Sequence, residues 1–415
     1  MRDVMPDLLL HIAHFSGWHN AGRMQCVCRR WNDALDDVAA FCCPDPGGGN
    51  ILNVLQCIVT AKHISLQDST KTPPTKDTER HKQMFFGAAL NALSAHAHAA
   101  PSSLRIQWNQ SFMQADASWL VRSVVQHMEH TNCRLEELDL DLSPLYCPSV
   151  DVLQGFVAAV RNLRTLHHLR FMMDSTASAW LVGLLSFAWY GGCLQSFEMA
   201  LNEHSKPHRQ LFGIIDTYLS KEKSPSVLTH LHLELDKFVS NLPTVFRWLS
   251  YLDQLLVLRM YLSNVDLGHV CNQVISMEDR NGRSRLRRLT VGCRSTLLTP
   301  VALCWMLDGF RKLTWGFASQ KQIVSIGAHQ TVQTLNLDVA NNELTRSVWS
   351  NLRRCLGDWT ALRRCDMDVS GNICGAPPDD TLSHVDLRHN AVSLTHYKLP
   401  VCSALMDEDE ATVWM

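Results

Sequence analysis

The sequence predicts an α/β solenoid: short parallel strands stacked on a concave face, helices on the convex face, and a small all-helical unit at the N-terminus. Three observations predict it. An apolar hexad of the form L-x-x-L-x-L recurs along most of the chain at intervals of about 30 residues. Between hexads the apolar spacing changes to that of a helix. A chain of 415 residues with 46% hydrophobic side chains is also longer than one compact globule usually holds.

The hexads run Leu135-Leu138-Leu140, Leu166-Leu169-Phe171, Leu194-Phe197-Met199, Leu228-Leu231-Leu233, Leu255-Leu258-Met260 and Leu286-Leu289-Val291. Further copies begin at Phe310 (Leu313, Trp315), Val332 (Leu335, Leu337), Leu362 (Cys365, Met367) and Leu382 (Val385, Leu387). Weaker ones precede them at Ala61-Ile64-Leu66 and at Leu104-Ile106. One hexad arises by chance in a leucine-rich chain, but a run of them at near-constant spacing does not. Residues 116–130, 149–163, 176–189, 209–219, 300–310 and 345–356 carry helical spacing, with Asp116 as an N-cap for the first. A strand–turn–helix unit of this size cannot bury its apolar face alone, so the units must stack. This is the signature of leucine-rich repeats. The consensus asparagine that hydrogen-bonds the turn backbone falls on Asn202 and Asn390, with Ser143 and Ser263 as weaker substitutes. The reading divides the chain into a helical motif at 1–43, a hinge and connecting helix at 44–60, a degenerate leucine-rich-repeat solenoid at 61–395 and a tail at 396–415.

In the N-terminal unit, residues 5–15 and 24–31 form two apolar helical segments around a polar break at 17–20. Pro6 suits a first helical turn and Asp7 favours the helix dipole. By pattern alone this unit caps the open end of the solenoid. Its opening Met5-Pro6-Asp7-Leu8-Leu9 and its closing Val27-Cys28-Arg29-Arg30-Trp31 resemble an F-box, over roughly residues 4–40. That resemblance implies docking onto a Skp-type adaptor of a cullin-RING ubiquitin ligase through Pro6, Leu8, Leu9, Ile12, Val27, Cys28 and Trp31. The repeats would then select a protein substrate. The alternatives are an interaction scaffold without a ligase role and a regulator resembling GTPase activators built from similar repeats.

Side chains alternate along a strand, so the residues between the leucines line the concave face. Arg259, Tyr261 and Arg288 are the expected anchors, because Tyr and Arg dominate interface hot spots. His230, His232, Arg364 and Asp366 are expected on the same face. Arginines cluster at 280–294 and at 353–364, where they could meet an acidic or phosphorylated partner.

Lys plus Arg total 38 against 40 Asp plus Glu, so net charge gives no whole-chain drive toward a polyanion. On that ground neither nucleic acid nor membrane is expected as a partner. Fifteen cysteines, an odd number set mostly in apolar runs, fit a reducing compartment, and cytoplasm or nucleus is expected. No phosphate-binding loop and no nucleophile elbow occur, and no metal or cofactor is expected. His11, His14, Cys26 and Cys28 are explained as helical core and motif positions rather than zinc ligands. The reading is therefore a binding protein and not an enzyme.

Overall fold

A computed structural model describes residues 38–43, 62–68, 75–95, 101–109, 116–129, 133–145, 149–173, 193–202, 227–236, 249, 252, 254–263, 284–294, 296–311, 328–342, 344–375 and 386–390. Within them lies one twelve-stranded sheet in which every strand sits beside its neighbours in sequence. The strands are β1 (Val38–Cys43), β2 (His63–Asp68), β3 (Ser103–Gln107), β4 (Glu137–Asp141), β5 (His168–Met173), β6 (Ser196–Asn202), β7 (His230–Asp236), β8 (Val257–Ser263), β9 (Arg288–Gly292), β10 (Thr334–Asp338), β11 (Arg364–Asp368) and β12 (Asp386–Asn390). All eleven pairings are parallel. Five α-helices are described: α1 (Lys76–Ala95), α2 (Ser118–Met128), α3 (Val150–Asn162), α4 (Pro300–Arg311) and α5 (Ser347–Leu356).

The hexad leucines are the core. Leu135, Leu138 and Leu140 are fully buried, as are their counterparts Leu255, Leu258 and Met260. Register stacks them: Leu138 lies opposite Leu169, Leu231 opposite Leu258, and Leu289 opposite Leu335. Burying one such side chain stabilises by about 1.5–3 kcal/mol, set against the entropy of ordering its repeat.

The inward alternation runs one period longer than the hexad. Leu142, Leu235, Leu262, Cys293, Val339 and Val369 occupy the next inward position and are all buried. The turn after the strand therefore starts two residues late, and the asparagine position moves with it. Asn342 and Asn372, both buried, form the ladder there. Asn372 Oδ1 accepts from the backbone N–H of Asn342 (3.0 Å) and Leu344 (3.1 Å), while Nδ2 donates to the carbonyls of Val339 and Val369. One repeat earlier, Asn342 Oδ1 accepts from Thr296 and Leu298 N–H, and Nδ2 donates to the Cys293 and Val339 carbonyls. The positions expected for this ladder are corrected. Asn202 and Asn390 end β6 and β12 and pair within the sheet, and Ser143 donates to Asp141 on its own strand's end. The residue before each ladder asparagine has left-handed backbone, Asn341 at φ 53° and Gly371 at φ 74°, a conformation those two residue types accept most readily.

Three further expectations change. The hexad expected from Phe310 adds no strand between β9 and β10, while Phe310 itself ends the helix expected over 300–310, here α4, buried with Leu303, Met306 and Leu307 at helical spacing. Leu313 and Trp315 lie outside the described residues. β9 pairs directly with β10, so Thr290 and its partner Asn336 stand 46 residues apart. At the C-terminal end, Leu387 and not Val385 lies opposite Cys365, two residues later than the hexad from Leu382 implies. At the N-terminal end, β1 falls inside the 1–43 stretch expected to be helical. Its run Val38-Ala39-Ala40-Phe41-Cys42-Cys43 has no hexad leucines, yet it continues the row in register with β2. Residues 1–37 and 44–60 lie outside the described residues, and with them the adaptor-binding set and the hinge.

α1 was not foreseen as a helix. Thr75 and Thr78 cap it reciprocally: Thr75 N–H donates to Thr78 Oγ1 (2.7 Å) and Thr78 N–H to Thr75 Oγ1 (3.2 Å). Phe85, Phe86, Ala89, Leu90 and Leu93 face the core. The N-cap of α2 is Ala117 rather than the expected Asp116, whose carboxylate accepts from Ser118 N–H at 2.8 Å one residue further out. Between α1 and β2 lies a fully buried ion pair, Lys82 Nζ to Asp68 Oδ2 at 2.7 Å, with the ammonium 5.7 Å from the Trp108 ring centroid.

Two outcomes follow. Asn372→Ala leaves two backbone N–H groups without acceptors and is expected to destabilise β10 and β11 by about 2–4 kcal/mol, read as faster amide hydrogen exchange there. Ser143→Ala, which strands no backbone group, should change exchange little. Lys82→Met strands the Asp68 carboxylate and should cost about 3–5 kcal/mol in urea denaturation, most of it recovered by adding Asp68→Asn.

Candidate functional site

Each strand presents alternate residues to the face opposite the core. On β8, Leu258, Met260 and Leu262 are buried, Arg259 is exposed, and Val257 and Tyr261 are half-buried. The same alternation holds on β4, β10 and β11. A single-layer parallel sheet in sequence order, with one face feeding the core and stepped by asparagines, decides the architecture. It is a leucine-rich-repeat-type solenoid.

Because the strands are in register, residues at one hexad position line up in rows. The middle row runs Arg105, Asp139, Arg170, Glu198, His232, Arg259 across β3 to β8. Its first five members alternate in sign and pair. Asp139 sits between Arg105 (3.2 Å) and Arg170 (2.9 Å), Arg170 Nε reaches Glu198 at 3.5 Å, and His232 Nδ1 stands 3.8 Å from Glu198. His232 Nε2 lies 3.1 Å from Glu234 on its own strand. Burial pushes Asp139 up, against the pull of Arg170 and Arg105. Burial works to lower His232, but the Glu198 and Glu234 carboxylates beside it outweigh that and push it up to about 9. His232 in turn holds Glu198 and Glu234 below the ordinary glutamate value, against burial.

The neutralisation stops at β8 and β9. Arg259 and Arg288 are exposed and have no carboxylate partner among the described residues. His230, beside them, is held below the ordinary histidine value, first by burial and then by Arg259 and Arg288. Tyr261 completes the patch. Its ring lies 5.3 Å from that of His232 at 56°, and it leans over Gly292, its register partner on β9. A Cβ at residue 292 would overlap the ring, so glycine there is what lets Tyr261 lie across the sheet.

Five of the residues expected to bind a partner, His230, His232, Arg259, Tyr261 and Arg288, thus come together on three consecutive strands. Arg364 and Asp366 do not join them. They sit on β11 beyond β10 and pair with each other at 2.7 Å. Of the arginine cluster, Arg294 bridges Asp338 (3.1 Å) and Asp368 (3.2 Å), and Arg285 donates to Gln254 at 2.6 Å. Arg280 and Arg283 lie outside the described residues. The sequence reading did not single out the alternating ladder or Gly292. The ladder's signal was present, as opposite charges at one hexad position in successive repeats.

Among the described residues no group of three or more His, Cys, Asp and Glu could hold a metal ion, and no helix is long and apolar enough to cross a membrane.

No protein-family model and no curated protein matches the chain, so the F-box resemblance stands on residues 4–40 alone. Among solved structures it is similar to the leucine-rich-repeat protein LIC12759 of Leptospira interrogans, at 12% identity over 87% of this chain and 80% of that one, TM-score 0.33. It is also similar to TLR13 in a TLR13–ssRNA13 complex, at 13% identity over 85% of this chain and 53% of that one, TM-score 0.28. The expectation that nucleic acid is no partner is corrected: TLR13 stands in complex with ssRNA13 in that structure. Whole-chain charge was too coarse a ground, because binding depends on local patches.

The ladder sets a pH dependence. His232 holds its proton more tightly folded than unfolded, so its stabilisation is complete below about pH 6.5 and lost as pH rises through about 9. The depressed glutamates add the opposite limb, present above pH 4.5 and lost as pH falls below it. The melting-temperature gap between the native chain and His232→Gln is therefore expected to be widest between those limits and to close by about pH 10.

Proposed function

We propose that the chain is an interaction scaffold that holds a protein partner on the concave face, at the patch formed by His230, Arg259, Tyr261 and Arg288. The observation that carries this reading is the end of the charge ladder. From β3 to β7 the middle row neutralises itself, and at β8 and β9 the face presents two exposed guanidiniums beside an aromatic ring. Arg and Tyr in such a setting are the residue types that anchor interfaces, and Arg offers planar, bidentate pairing. The finer reading as a ubiquitin-ligase substrate receptor draws only on residues outside the described set and gains no support from the comparisons. The scaffold reading does without it.

The test compares partners captured by the full chain from its native cell extract. Arg259→Ala with Tyr261→Ala is expected to reduce capture about tenfold or more, with the melting temperature unchanged. Gly292→Ala should act in the same direction by displacing the Tyr261 ring. Met84→Ser, at an exposed position on α1, should leave capture intact. Full capture by the concave-face variants would move the binding surface elsewhere.

A further inference from the structure

The charges around the patch constrain the kind of partner segment it fits, on the footing that the concave face is the binding surface. Arg259 pairs in register with Thr290, and Arg288 is opposite Val257, so the two arginines are diagonal neighbours on adjacent strands. Strands lie about 4.8 Å apart and side chains on one face repeat about every 6.8 Å, so two guanidiniums on flexible stems can converge on one anion. Only Val257 and Thr290 lie between them, and neither competes for it.

The surroundings limit how much negative charge can follow. On one side stand Glu198 and Glu234, both engaged with His232, and Glu234 is the register partner of Tyr261. On the other side stand Asp338 and Asp368, held by Arg294, and Asp366, held by Arg364. A run of negative charge laid across the strands would engage the two arginines and then meet carboxylates in both directions. One acid followed by basic or neutral residues meets attraction at the centre and at both flanks.

We propose that the seat between Arg259 and Arg288 receives a single Asp or Glu side chain of an extended protein segment in which that acid is flanked by basic or neutral residues. The aromatic face of Tyr261 packs beside it, and Glu234 and Asp338 select against a second acid. The seat is a specificity determinant within the concave surface.

The experiment selects binders for the full chain from a random displayed-peptide library. The recovered peptides are assayed by fluorescence anisotropy alongside an oligo-glutamate and a 13-nucleotide single-stranded RNA. The expected result is enrichment of an isolated acid with basic or neutral flanks. Binding should fall roughly thirtyfold or more with Arg259→Ala plus Arg288→Ala, and Lys at both positions should recover only part of it. Binders that depend on Tyr261 but show no acidic preference, or are indifferent to the arginines, overturn the seat and leave the scaffold reading standing. Binders indifferent to Tyr261 as well overturn both. Tighter, arginine-dependent binding of oligo-glutamate or RNA overturns the isolated acid in favour of a polyanion. Circular dichroism melting checks that each variant is folded, which the exposure of both arginines leads us to expect.

Discussion

In-register parallel pairing is the constraint on which the rest of this structure depends. A strand of five to seven residues with a few leucines has no stability of its own, and here each one is completed by the strand before it. Register places leucine against leucine along the inner side. Where the chain must leave the strand, Asn342 and Asn372 satisfy the backbone groups of one repeat with the side chain of the next. The apolar stack and the amide ladder answer the same problem: a short strand ends in exposed N–H and C=O groups that burial would otherwise penalise.

The same register acts on the opposite face. Whatever charge stands at one hexad position is brought within one strand spacing of the charge at that position in the next repeat. Like charges in succession would repel along the whole arc, and Arg105, Asp139, Arg170, Glu198 and His232 alternate instead. The raised affinity of His232 for its proton is a product of this stacking, since its carboxylate neighbours come from β6 and from its own strand. Gly292 belongs to the same logic, because a ring as large as Tyr261 can lie across the sheet only if the next repeat leaves the register position empty.

Much of this was legible in the sequence because repetition multiplies a weak signal. The hexads located the strands from β2 to β11, and alternation put Arg259, Tyr261 and Arg288 on the open face. The misses have physical causes. β1 is apolar without leucine spacing and is recognised only by its pairing with β2. Phe310 fits a hexad but belongs to the helical stripe of Leu303 and Met306, an ambiguity that periodicity alone does not remove. The ladder asparagines stood in plain repetition, Asp338-Val339-Ala340-Asn341-Asn342 and Asp368-Val369-Ser370-Gly371-Asn372. They lie beyond one further inward residue, Val339 or Val369, that the hexad does not contain, so the hexad alone places the turn too early. α1 lacks the usual acidic partner in its capping box, since Thr78 takes that place.

The end of the charge ladder matters more for recognition than the ladder itself. A partner that engages Arg170 must compete with Asp139 and Glu198, so every new ion pair is offset by the loss of an old one, and the half-buried acid left behind loses its partner. Arg259 and Arg288 have no such competitor within the described residues. Their attraction for an anion is undiminished, and the neighbouring carboxylates, already neutralised by His232 and Arg294, shape the field rather than cancel it. A self-neutralised row that ends in unpaired charge directs a partner to its end by difference, and the sharper the neutralisation along the row, the more selective that end becomes.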